Sequence, residues 1–229
     1  MAGLGRAPST GEVFDLIRLL VVDDHDLVRT GIARMLADID GLVVIGQAAS
    51  GEEAVRQARE LKPDVVLMDI KMPGIGGLEA TRKLLRSQPD VRVIAVTVCE
   101  EDPFPTRLLQ AGAAGYITKG AGLDEMVQAI RLVFAGQRYI SPQIAQQLAL
   151  KSFQPNKSDS PFDLLSEREI QIALMIANCQ KVQVISDKLC LSPKTVNTYR
   201  YRIFEKLKVN SDVELVLLAA RHGMVDSLN

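Results

Sequence analysis

Short β-branched apolar runs, bounded by turn residues, alternate with segments of helical period through the first two thirds of the chain. The runs fall at residues 17–22, 42–45, 65–68, 93–96 and 115–117. They are apolar throughout rather than at every second position, which predicts strands covered on both faces, as in a parallel sheet. Between them, apolar residues recur three or four apart: Val28, Ile32, Met35 and Leu36; Ala54, Val55, Ala58 and Leu61; Met126, Val127, Ile130, Val133 and Phe134. The predicted order is strand then helix, five times. Such a (βα)5 order predicts a doubly wound α/β sheet whose site lies at the carboxyl ends of the strands.

The pattern changes near residue 152. Residues 152–163 (SFQPNKSDSPFD) are rich in turn formers and predict a linker. Beyond it only helical signals remain. Ser166 with Glu169 and Ser211 with Glu214 read as capping boxes, Ser192 with Pro193 as N-cap and first helical residue, and Gly223 as a stop. These predict an all-α module of four helices over 166–177, 181–189, 193–207 and 211–222. The domain division that follows is a flexible tail over 1–16, the α/β unit over 17–136, a linker with a short helix over 137–162, and the helical unit over 163–229.

Composition changes this picture in three ways. The net charge of −1 excludes a wholly basic nucleic-acid coat protein, but the charge is uneven. Residues 1–150 hold 16 Lys+Arg against 19 Asp+Glu, whereas residues 160–229 hold 9 against 8. No clean apolar run is longer than that at residues 215–220, far short of the roughly 18 residues that a membrane span needs. Cys99, Cys179 and Cys190 form no CxxC pair, and residues 1–15 lack the apolar core of a signal peptide. A soluble, cytoplasmic protein with no membrane partner is expected.

The predicted strand ends carry Asp23 and Asp24, then Asp69, Thr97 and Lys119. Three carboxylates in one crevice repel one another, and a hard cation resolves this; oxygen ligands suit Mg²⁺ or Mn²⁺ rather than Zn²⁺. With a metal and the Lys119 ammonium neutralising charge, Asp69 can act as a nucleophile toward a phosphoryl group, and Thr97 can donate a hydrogen bond to that group. His25 reads as a capping or surface residue rather than a ligand. PGIGGLE (residues 73–79) is not G-x-G-x-x-G and follows the third strand, so it does not signal a dinucleotide site. A metal-dependent phosphohydrolase would use the same nucleophile, but Asp69 is followed by Ile70 and Lys71 with no carboxylate two residues on. Turnover catalysis is not expected.

In the helical module, 181–189 and 193–207 joined by Cys190 to Ser192 have the proportions of a helix-turn-helix. Val196, Ile203 and Leu207 fall on one side of the second helix, Lys194, Asn197, Thr198 and Tyr201 on the other. Residues 194–208 also concentrate Lys194, Arg200, Arg202, Lys206 and Lys208 against Glu205 alone. The outward face offers groups for base edges, and the charge suits phosphate contact.

LLVVDDHDLVRTG, DVVLMDIKMPGIGGLEATR, VIAVTV and AGAAGYITKG resemble the receiver domain of two-component response regulators. The resemblance implies that Asp23 and Asp24 help bind Mg²⁺, that Asp69 accepts a phosphoryl group from a sensor histidine kinase, that Thr97 and Tyr116 form a switch pair, and that Lys119 contacts the phosphoryl group. LSEREIQIALMIA, LSPKTVNTYRYRIFEKLKV and SDVELVLLAARHG resemble the LuxR-type helix-turn-helix of the NarL/FixJ family. GQRYI, SPKTVN and YRYRIFEKL are similar to its GacA/UvrY branch. That likeness implies a cytoplasmic transcription factor activated by a GacS- or BarA-like kinase. It also implies a homodimer when phosphorylated, with promoter DNA and RNA polymerase as partners. Small regulatory RNA genes, whose products titrate a CsrA/RsmA-type protein, are the implied targets. Four positions depart from the family pattern: Cys179 stands where Gly is common, Val184 where Glu is common, Asn197 where Lys or Arg is frequent, and Val98 where Ala is usual. A left-handed cap at Cys179 would be strained unless Asn178 takes that role.

Overall fold

The computed structural model describes residues 16–97, 104–152, 160–222 and 224–225. Val98, Gly223, the tail over 1–15 and the linker segment 153–159 lie outside the described residues.

Strands β1 (Ile17–Val22), β2 (Leu42–Ala48), β3 (Val65–Asp69), β4 (Arg92–Thr97) and β5 (Gly115–Thr118) pair in parallel. Helices α1 (Asp26–Ala37) and α5 (Leu123–Phe134) cover one face; α2 (Gly51–Leu61) and α3 (Gly76–Ser87) cover the other. Alternation along β1 shows why these strands are apolar throughout. Leu19 and Val21 join the α1/α5 core, whereas Leu20 and Val22 join the α2/α3 core, and all four are buried. Helix α4 (Phe104–Gln110) links β4 to β5.

The sheet does not end at five strands. Its order is β2-β1-β3-β4-β5-β6, and β6 (Tyr139–Ile140) lies in a stretch expected to be linker. Two residues are too few to show a period. Backbone bonds hold β6 in place, Tyr139 N donating to Ala114 O at 3.1 Å and Ser141 N to Tyr116 O at 2.9 Å. The Glu125 carboxylate accepts from both Tyr139 Oη (3.1 Å) and Ser141 Oγ (2.6 Å). The short helix expected in this stretch is α6 (Pro142–Ser152).

After a 3₁₀ turn (Pro161–Leu164) come α7 (Glu167–Ala177), α8 (Val182–Leu189), α9 (Pro193–Leu207) and α10 (Asp212–Arg221), within a residue or so of the predicted limits. The Ser166–Glu169 capping box forms in both directions. At Ser211 only half forms: its hydroxyl accepts from Glu214 N at 3.2 Å, but the Glu214 carboxylate takes the amide of Asn210, one residue earlier. The two units share a core, because Ile70, Leu78, Leu108 and Tyr116 belong to the same buried cluster as Phe162, Leu165 and Ile170. Arg107 of α4, 9% exposed, donates to the carbonyls of Phe162 (3.1 Å) and Leu165 (2.8 Å).

Asn178 does not take the left-handed cap at the end of α7. It has φ −82°, and Cys179 adopts φ +56° instead. Cys179 N donates to Ile176 O (2.8 Å) and Gln180 N to Met175 O (3.0 Å), the paired bonds of a Schellman turn. A side chain in this conformation costs roughly 1–2 kcal/mol, against about 0.5–1 kcal/mol of chain entropy for glycine. Cys179→Gly should therefore stabilise the protein by up to about 1 kcal/mol, raising the melting temperature by roughly 2–4 °C in calorimetry. A lower melting temperature would show that the thiol contributes packing that outweighs the strain.

Candidate functional site

Topology brings the ends of β1, β3, β4 and β5 together, since β1 lies beside β3, β3 beside β4 and β4 beside β5. Asp23 and Asp69 are each 2% exposed. Lys119 Nζ lies 2.7 Å from Asp23 Oδ2 and 2.8 Å from Asp69 Oδ2, so one ammonium serves two carboxylates. Asp69 Oδ1 accepts from the amides of Ile70 (2.7 Å) and Lys71 (3.3 Å). Burial nevertheless pushes the Asp69 carboxyl up to about 6, against the opposing pull of Lys119. Burial also raises Asp24. For Lys119 burial works downward, but its bonds to Asp23 and Asp69 outweigh it and hold the ammonium above its usual value.

Asp23, Asp24, His25 and Asp69 can bring ligand atoms within 4.8 Å of one another. Three carboxylates against one ammonium leave two negative charges, the amount one divalent cation neutralises. Asp24 Oδ1 is buried without a hydrogen-bond partner. His25 Nδ1 approaches it at 3.2 Å, an ion pair only when the imidazole is protonated. An orphaned carboxylate oxygen beside two buried carboxylates fits a hard, oxygen-seeking ion. His25 is otherwise a surface residue at the start of α1, its side chain 56% exposed and making no capping bond, while its amide donates to Asp23 Oδ1 (2.8 Å).

Thr97 ends β4 and is fully buried, in register with Thr118. Tyr116 is also fully buried, packed in the cluster that the two units share. PGIGGLE has a role that its spacing did not show. Gly77 folds back so closely that a Cβ there would sit 2.0 Å from the Asp69 carbonyl oxygen, and its amide donates to Ile70 O (3.0 Å). The glycines let this loop wrap around the buried aspartate.

In the helical unit, Val196, Ile203 and Leu207 are buried as their spacing predicts. Lys194, Thr198, Tyr201, Arg202 and Lys208 are exposed and Asn197 partly so, Tyr201 at 73%. Two of the basic residues are engaged inside the unit. Arg200 grips Asp212 through Nε (2.8 Å) and Nη2 (2.7 Å) and stacks over Phe204. Lys206 Nζ lies 2.6 Å from Oε2 of the buried Glu169. Val184 is 39% exposed on α8.

Residues 19–131 match the response regulator receiver domain model, and residues 163–219 match that of bacterial regulatory proteins of the luxR family. The chain is 86% identical to the response regulator GacA of Pseudomonas viridiflava, over 93% of this chain and 99% of the relative. It is 58% identical to the response regulator UvrY of Escherichia coli K12, over 93% and 97%. The chain belongs to the response regulators. Among solved structures, a LuxR-family response regulator from Aurantimonas sp. SI85-9A1 aligns with a TM-score of 0.57 at 40% identity, over 59% of this chain and 97% of that one. This response regulator is a GacA/UvrY-type receiver joined to a LuxR-type DNA-binding domain, a transcription factor. Among the described residues, no helix is long and apolar enough to cross a membrane. Sequence reasoning missed Arg107 and Gln180, which tie the two domains together through backbone carbonyls, a contact that leaves no periodic or motif signal.

The raised Asp69 carboxyl has a stability consequence. A carboxyl with its folded value above its unfolded one stabilises the fold below about pH 4, and that contribution is lost as pH rises to about 6. Asp69→Asn removes the cost of ionising there. Its stability margin over the parent should be nil near pH 4 and grow toward pH 6, by no more than about 3 kcal/mol, in metal-free denaturant titrations. A margin that shrinks as pH rises would show that the Lys119 pair outweighs burial.

Proposed function

We propose that Asp69 accepts a phosphoryl group from a GacS- or BarA-like sensor histidine kinase, and that the modified chain acts at promoter DNA as a homodimer. The observation that carries this reading is the buried pair of Asp23 and Asp69 bridged by Lys119 at the strand ends. A bond forms from an Asp69 carboxylate oxygen to phosphorus as the bond from phosphorus to the donor's imidazole nitrogen breaks, and the imidazole leaves neutral, its other ring nitrogen keeping the proton it already carried. Lys119 stands beside the incoming charge. Asp23, Asp24 and Asp69 would hold Mg²⁺, which when bound neutralises phosphoryl and carboxylate charge together. Thr97, one residue past the β4 position that pairs with Asp69, would donate to the phosphoryl group. Tyr116 would respond as its switch partner, within the core shared with the DNA-binding domain.

At DNA, Asn197, Thr198 and Tyr201 would meet base edges, while Lys194, Arg202 and Lys208 would meet phosphates. Arg200 and Lys206 would first have to leave Asp212 and Glu169. Helix α10 exposes Val213 (68%) and Leu217 (52%) one turn apart, an apolar strip suited to a two-fold mate. Small regulatory RNA promoters are the targets this reading favours, and RNA polymerase the partner there.

The reading is tested with acetyl phosphate or phosphoramidate in Mg²⁺. Asp69→Asn should keep the fold and take no label; label retained on that variant would remove Asp69 from its role. Asp24→Ala should weaken Mg²⁺ affinity and labelling together, and an unchanged Mg²⁺ affinity would place the ion elsewhere.

On DNA, Asn197→Ala should cost about 1–3 kcal/mol at the cognate site and little on random duplex. Lys194→Ala should weaken both alike and make the salt slope shallower by about 1. Lys206→Ala should change that slope less and lower the melting temperature, because Glu169, 5% exposed in its side chain, would lose its cation. Equal slope changes for the two lysines would show that Lys206 leaves Glu169 on DNA.

A further inference from the structure

The DNA-binding domain reaches the receiver at the loop that follows the phosphoacceptor. Gln180 Nε2, placed by the Schellman turn after α7, donates to the carbonyl of Gly74 at 3.0 Å. The amide's orientation is fixed by chemistry, since a carbonyl can only accept. Gly74 lies in the segment 70–77, and backbone amides of that segment lead back to Asp69. The amides of Met72 (3.2 Å) and Gly77 (3.0 Å) donate to Ile70 O, and those of Ile70 and Lys71 donate to Asp69 Oδ1. A second contact stands beside the first. The Glu52 carboxylate packs over Gly74, where a Cβ would meet it at 2.5 Å, and Lys188 of α8 lies 2.9 Å from Glu52 Oε1. The cleft between the domains runs past Asp24, residues 70–79, Gln171 and Met175 to Met224 and Val225, so the docked domain forms one wall of the approach to the acidic site.

We propose that Gln180 is a positioning residue for the phosphoacceptor loop: through Gly74 it holds residues 70–77 in their docked conformation, so that undocking and phosphorylation of Asp69 favour each other. This rests on the assignment of Asp69 above. The clamp is built to release. Gln180 Oε1 is buried without a partner, so the docked state carries an unsatisfied acceptor that water would satisfy once the domains part. Coupling of this kind is reciprocal, and the helical domain therefore acts on the receiver as much as the receiver acts on it.

The test uses the full chain with phosphoramidate in Mg²⁺, alongside Gln180→Ala and the near-isosteric Gln180→Glu, which keeps the shape but removes the donor. Both variants should label about fivefold faster than the parent, the factor one neutral hydrogen bond carries. Both should also exchange the amides of Met72 and Gly77 faster in hydrogen-exchange mass spectrometry. A merely structural role would lower the melting temperature without speeding either. Labelling and exchange at the parent's rates in both variants, or slower labelling in either, would overturn the proposal. Asp69→Asn serves as the control: label on that variant would overturn the phosphoacceptor assignment, whereas a silent Asp69→Asn with unchanged Gln180 variants would overturn only the clamp.

Discussion

Asp23 and Asp69 lie almost wholly out of water and share the ammonium of Lys119. Removing Lys119 would leave two buried carboxylates facing each other without a cation, which costs several kcal/mol, so the ammonium fixes the positions of both. Much of the receiver can be understood as the scaffold this requires. Parallel strands buried on both faces end at one edge, which lets residues separated by 46 and 50 positions in sequence meet within hydrogen-bonding distance. The loop after Asp69 must then turn back tightly enough to point two amides at Oδ1, and only glycine fits at position 77. The residual charge makes the site receptive to a divalent cation, and Asp24 supplies a buried oxygen that accepts no hydrogen bond.

In the DNA-binding domain the same economy of charge works in the opposite sense. Counting lysines and arginines along α9 overstates the surface free for phosphate contact, because Arg200 and Lys206 tie α9 to α10 and to the start of α7. Glu169 shows how far one residue is shared: its carboxylate closes the capping box of α7 and pairs with Lys206, and despite burial its proton is held below the usual carboxylate range. The outer face left open by Lys194, Thr198, Tyr201 and Arg202 is narrower than the sequence suggested, and its aromatic centre, Tyr201, is 73% exposed.

The sequence carried the order of strands and helices, because burial on two faces and burial on one stripe write different periods. It carried the acidic site, because strand ends are countable and carboxylates are rare in such runs. Tyr139–Ile140 escaped because a two-residue strand has no period, and its partner is set by backbone bonds that any side chain would allow. A left-handed Cys179 is strained unless Asn178 takes that conformation, yet Asn178 keeps φ at −82° and the turn bonds of α7 hold Cys179 in the left-handed region. The domain contact escaped for a related reason. Arg107 and Gln180 bind main-chain carbonyls, and a carbonyl has no identity in the sequence.

With the receiver docked, Tyr201 is still 73% exposed, so this arrangement leaves the outward face of α9 open. Docking therefore does not act here by covering the recognition helix. What it does fix is orientation: Arg107 and Gln180 hold the helical unit at two points against the receiver. A two-fold dimer must place two recognition helices one DNA turn apart, about 34 Å, which constrains how each helical unit is oriented. A rigid docked pair restricts that orientation even while each helix stays accessible. If undocking and phosphorylation are coupled as proposed, the control point is the free energy of the domain interface, and the loop that wraps Asp69 is one of the surfaces that interface is made from.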